Sequence, residues 1–153
     1  MIEWLSFIGL LIGVYLSKVT GTEIKEGRKY LLLLQSVVLI LAIVYLFSFD
    51  LLFFIGLIIG LIIGLLLSFF IKNLYLYFGV GLVVGNSLIY LVLIFLNGLV
   101  EGSFLKDKKE ILKSLIFFVI PIFFIIFNVT WILLSGIAVG GFLNGIWGIY
   151  KRY

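Results

Sequence analysis

Polar residues in this chain come in short clusters, and the apolar runs between them are long enough to cross a bilayer. The first run extends from Ile2 to Ser17. A polar stretch from Lys18 to Tyr30 follows, punctuated by Gly21 and Gly27, with Thr20 and Glu23 at capping-box spacing. It has room for one short interfacial turn of helix. From Tyr30 to Ile71 the chain is apolar almost without interruption for 42 residues. One helix of that length would measure about 63 Å, twice the ~30 Å hydrocarbon core, so the run must fold back. Ser48-Phe49-Asp50 is the polar break, and Ser and Asp favour turns and helix caps. The second span therefore covers Tyr30 to Phe49, and the third covers Leu51 to Ile71. Lys72-Asn73 precede a fourth span from Leu74 to Leu99. A second charged stretch runs from Glu101 to Ser114, and the spacing of Asp107 and Glu110 starts the fifth span near Lys108. Ile111 to Tyr150 is again too long for one crossing and breaks at Asn128-Val129-Thr130. The fifth span ends near Phe127 with Pro121 as a kink, and the sixth covers Trp131 to Tyr150.

The pattern predicts an all-α fold: a polytopic transmembrane helix bundle of six spans, or five if one glycine-rich segment is re-entrant. It forms a single membrane domain, 1–153. The third span carries Gly56, Gly60 and Gly64, and the sixth carries Gly136 and Gly140. Small residues four apart stack on one helix face and let a second backbone approach closely. These five glycines are the expected helix-packing positions.

An offset of 80 residues aligns the marks of the two halves, 1–73 and 74–153. Arg28-Lys29 fall on Lys108-Lys109, Ser48 and Asp50 on Asn128 and Thr130, and Gly56 and Gly60 on Gly136 and Gly140. Three spans per half would make the halves insert in opposite senses, giving a 3+3 inverted repeat. With six crossings the cations divide five against six between the two sides, as opposed halves would require. The alternative is that two glycine-rich hairpins look alike by chance.

Composition narrows the chemistry. The chain is 65% hydrophobic and 12% charged, where soluble domains average about 25% charged residues. It has no Cys and no His, which removes disulfides, thiolate catalysis and most zinc, copper and haem sites. No acid is expected deep in a span, so no catalytic residue, metal site or cofactor is assigned, and the chain does not read as an enzyme. The net charge of +4 does not indicate nucleic acid, because the cations sit at span ends. The clusters Lys25 to Lys29 and Lys106 to Lys113 could meet anionic lipid headgroups, but the acids mixed among them, Glu23, Glu26, Asp107 and Glu110, favour ordinary solvated loops. Met1 to Ser17 has Glu3 where a signal peptide would carry cations, and reads as a retained span.

The remaining candidates are polar groups at depth. Asn86, Ser87, Tyr90 and Asn144 are the expected midplane polar or substrate-contact residues. An amide both donates and accepts, so it can line a route or bond neighbouring helices together. The functional expectation is a small transporter- or channel-like integral membrane protein, multi-pass, in a prokaryotic plasma membrane. The alternative is a non-catalytic accessory or scaffold subunit that packs through its Gly-xxx-Gly faces. The expected partners are the lipid bilayer and either a second copy or a larger membrane complex.

Overall fold

The computed structural model describes residues 3–46, 51–84, 87–105, 107–123 and 131–151, and among these residues there is helix and no strand. The order is α1 (Glu3–Val19), α2 (Gly21–Glu26), α3 (Arg28–Leu46), α4 (Leu51–Phe70), α5 (Leu74–Val84), α6 (Leu88–Phe104), α7 (Lys108–Phe123) and α8 (Trp131–Tyr150). The all-α expectation holds. Among the described residues two stretches, Arg28–Leu46 and Leu133–Tyr150, are long and apolar enough to cross a membrane.

Close backbone approach organises the bundle. α1 packs along α6, and α4 along α8. A Cβ on Gly136 would lie 2.5 Å from the Leu57 carbonyl oxygen and 2.8 Å from the Gly60 Cα. On Gly140 it would lie 2.6 Å from the Leu61 carbonyl oxygen. Gly60 and Gly64 face α8 equally tightly, and Gly56 is half-buried one turn earlier. Only glycine lets the two backbones meet at this separation. Gly9 and Gly13 make the same kind of seam with Gly98 and Gly102 across α1 and α6.

Between the two seams lies α5. It is apolar around its whole circumference, as a helix enclosed on all sides should be. Nine of its eleven residues are buried, and it packs on α7, α8 and α6. Phe78 meets the Phe142 ring at 4.6 Å, while Tyr75 meets Phe7 at 5.3 Å and Phe118 at 6.2 Å. Opposite it, α3 bridges α6 and α8.

Contacts set each helix direction. Gly9 and Gly13 meet Phe95 and Leu99 in the same order, so α1 and α6 are parallel. Gly60 and Gly64 meet Leu133 and Ile137 in the same order, so α4 and α8 are parallel too. Leu74 and Tyr77 meet Gly145 and Gly141 in reverse order, which makes α5 antiparallel to α8. Tyr75 and Gly81 meet Gly98 and Tyr90, also reversed, so α5 is antiparallel to α6. Leu39 shares Gly145 with Leu74, and Leu46 reaches Gly81, so α3 runs with α5. Ser114 bonds Asn73 and Phe118 covers Gly79, so α7 does as well. Thus α1, α4, α6 and α8 point one way and α3, α5 and α7 the other.

These directions correct three expectations. The fourth span, Leu74 to Leu99, is not one helix: it is divided into α5 and α6, which run in opposite senses. Ser87 caps the second piece, its Oγ accepting from the Tyr90 N–H at 3.3 Å. The extra reversal makes α1–α3–α4 and α6–α7–α8 run in the same sense, so the halves are not inverted. The division of cations five against six also fails. Lys18 closes α1, Lys25 lies on α2, and Arg28 and Lys29 open α3. Lys72 follows α4, Lys108, Lys109 and Lys113 lie in the first turns of α7, and Lys151 follows α8. All nine sit at one end. Lys106 and Arg152 lie outside the described residues but adjoin that end in sequence. The turns expected at 48–50 and 128–130 are likewise outside the described residues.

Candidate functional site

The shortness of α5 creates the main cavity. Its first residue, Leu74, packs on Gly145, five residues before the end of α8, or about 8 Å below it at 1.5 Å per residue. The space above is a cavity of about 640 Å³ at the cationic end, within the ~300–1,000 Å³ range typical of small-ligand pockets. Gln35, Ser68, Tyr77, Glu101 and Asn144 line it, with Lys72 and Lys151 also on its wall. A second cavity of about 370 Å³ shares Lys72, Glu101 and Glu110 and reaches Ser114 on α7.

Two polar chains border this vestibule. In the first, the Gln35 Nε2 donates to Asn97 Oδ1 at 3.2 Å, and the Asn97 Nδ2 donates to Glu101 Oε2 at 3.2 Å. Gln35 and Asn97 are buried, so the chain runs from the interior to a half-buried carboxylate. In the second, the Asn144 Nδ2 donates to Ser68 Oγ at 2.8 Å, and Ser68 Oγ donates to the Leu65 carbonyl at 2.6 Å. Tyr77 donates its hydroxyl to the Ile71 carbonyl at 2.9 Å, closing the turn between α4 and α5. Asn73 caps α5 by accepting from the Tyr75 N–H at 3.0 Å, and its amide donates to Ser114 Oγ at 3.1 Å.

The predicted midplane residues do not form one site. Asn144 lies in the vestibule. Ser87 and Tyr90 lie at the start of α6, toward the opposite end of the bundle, and Asn86 is outside the described residues. Tyr90 is fully buried, stacked on Tyr45 at 5.5 Å with its phenol against Gly81. The five predicted packing glycines lie on α4 and α8; four of them face the opposite helix directly.

Sequence reasoning missed Glu101, Gln35 and Asn97 as a group. Glu101 was assigned to a loop, but α6 continues through it to Phe104. The available signal was the Asn97–Glu101 spacing of four, which places an amide and a carboxylate on one helix face. Gln35 had no local signal, because its partner is 62 residues away. Comparison with family models, with curated proteins and with solved structures found no match.

Proposed function

We propose that the chain is a multi-pass membrane protein that admits a small polar solute into the vestibule above α5, in the manner of a transporter or channel. The membrane part draws support from the outer surface. α3 turns Leu33, Leu34, Val37, Ile40, Leu41 and Val44 outward, and α4 does the same with Ile58, Ile59, Ile62, Leu66 and Phe70. Water-soluble monomers rarely expose apolar patches beyond a few hundred Å². Seven helices of alternating sense, α1 and α3 through α8, would form the membrane bundle, with the short α5 enclosed within it and shielded from lipid by its neighbours.

The observation that carries the solute reading is the chain Gln35–Asn97–Glu101 beside a cavity of about 640 Å³. Polar groups are expensive inside an apolar bundle, and here two buried amides lead from the interior to a carboxylate at the mouth of the cavity. The scaffold alternative has less support, because the glycine faces it would offer a partner are occupied within the chain, α4 on α8 and α1 on α6.

The test is solute-driven current across proteoliposomes, recorded for inorganic cations, amino acids and sugars, with wild type and Glu101→Gln compared. The expected result is a current in wild type for at least one class and its loss, tenfold or more, in a folded Glu101→Gln variant. An equal current in both would remove Glu101 from the pathway. No current with any class, together with co-purification of a larger membrane partner, would replace this reading with the accessory one.

A further inference from the structure

A third cavity, of about 550 Å³, lies where α1, α2, α3 and α6 meet at the cationic end. Lys25 and Arg28 stand on its wall, with Ser17 and Ser103 beside them and Ile24, Leu32 and Phe104 supplying apolar surface. Among the described residues no carboxylate lines it, although Glu23, Glu26, Glu101, Asp107 and Glu110 belong to the same end of the bundle. The serine hydroxyls donate to their own helices, Ser17 to the Val14 carbonyl at 2.9 Å and Ser103 to the Leu99 carbonyl at 2.7 Å. Among the described residues, the side-chain donors left for a ligand are therefore the ammonium of Lys25 and the guanidinium of Arg28. Arg presents a planar fork that fits phosphate oxygens in pairs, and Lys adds a point charge.

We propose that this groove holds the phosphate headgroup of an anionic phospholipid, with Lys25 and Arg28 on the phosphate and the first part of an acyl chain along Ile24, Leu32 and Phe104. The proposal rests on the membrane reading above and is independent of the vestibule. Three features converge on it. The groove lies at the helix ends, where headgroups would sit if the bundle spans a bilayer. It joins cationic and apolar walls, which match the two parts of a phospholipid. Among the described residues, its end of the bundle has nine cations and five carboxylates, an excess of four positive charges. Each cation near an anionic leaflet contributes about 1 kcal/mol, so bound lipid is held by local and general attraction together.

Lipid retention by the purified protein, measured by native mass spectrometry after exchange into vesicles of phosphatidylglycerol and phosphatidylcholine, tests this. Wild type should retain phosphatidylglycerol in preference to phosphatidylcholine. Lys25→Gln/Arg28→Gln should lose that preference several-fold. Lys109→Gln/Lys113→Gln, which removes the same charge elsewhere at the same end, should keep it. Inorganic phosphate added to delipidated protein should not bind. Equal loss in both double variants would overturn the groove in favour of diffuse attraction, and saturable binding of inorganic phosphate would reassign it to a soluble ligand. Recovery of the protein in the soluble fraction would overturn the membrane reading itself, which keeps the two failures distinct.

Discussion

At the scale of single residues, the interior polar groups separate into those whose loss strands a partner and those whose loss strands nothing among the described residues. Asn97 is fully buried between Gln35 and Glu101. Asn97→Leu leaves the Gln35 amide and the Glu101 carboxylate each short of a bond, and an abandoned buried group costs about 1–3 kcal/mol. Removing Gln35 as well takes away one of the stranded groups. The Gln35→Leu/Asn97→Leu double variant should therefore lose less stability than the two single losses added together. Tyr75 is the contrast: its buried hydroxyl has no hydrogen-bond partner among the described residues. Tyr75→Phe keeps the ring against Phe7 and Phe118 and should leave stability unchanged or raise it. Unfolding titrations in mixed detergent measure all four variants, and a strictly additive double variant would mean that Gln35 and Asn97 do not interact.

At the scale of elements, the glycine seams do the positioning. Gly136→Leu would push a side chain into the Leu57 carbonyl and the Gly60 backbone, with no flexible neighbour to give way. Overpacking of this kind costs about 3 kcal/mol. Gly148 has open space where its Cβ would go, and in a helix interior Ala is favoured over Gly by about 1 kcal/mol. Gly148→Ala should therefore be tolerated or stabilising, while Gly136→Leu should lower the unfolding midpoint sharply. Equal tolerance of both would show the seam to be loose. The starts of α4 and α8 were legible because turn residues interrupt apolar runs too long for one crossing, and that of α7 because Asp107 and Glu110 stand at capping-box spacing after a charged stretch. The break between α5 and α6 was not. Leu74 to Leu99 is 26 residues, which a single tilted helix can accommodate, so length raised no objection. The one local sign was Ser87, an N-cap residue inside an apolar run. At eleven residues α5 extends only about 16 Å, which hydropathy discounts for a lipid-facing span but which suits a helix enclosed by others. The vestibule was hidden for the same reason, since it exists only because α5 stops short.

At the scale of the whole molecule, one additional helix reverses every conclusion about sidedness. Without the break, the Lys18–Tyr30 and Glu101–Ser114 stretches would lie on opposite sides and the cations would balance. With it, both stretches lie at one end, and the opposite end has Glu3 at the start of α1. Lys and Arg in short connections set membrane orientation, whereas Asp and Glu contribute little. If the bundle is inserted, the cationic end should therefore be cytosolic and the start of α1 should lie on the far side. The chain contains no cysteine, so single introduced thiols report without background. Thr22 and Lys109 are both exposed, one on α2 and one on α7. In intact cells a membrane-impermeant maleimide should leave Thr22→Cys and Lys109→Cys unlabelled, and both should react once the membrane is permeabilised. Labelling of one without the other would restore six crossings and opposed halves. Labelling of both in intact cells would keep the seven-helix order but turn the molecule over, and would mean that the one-sided charge does not govern its insertion.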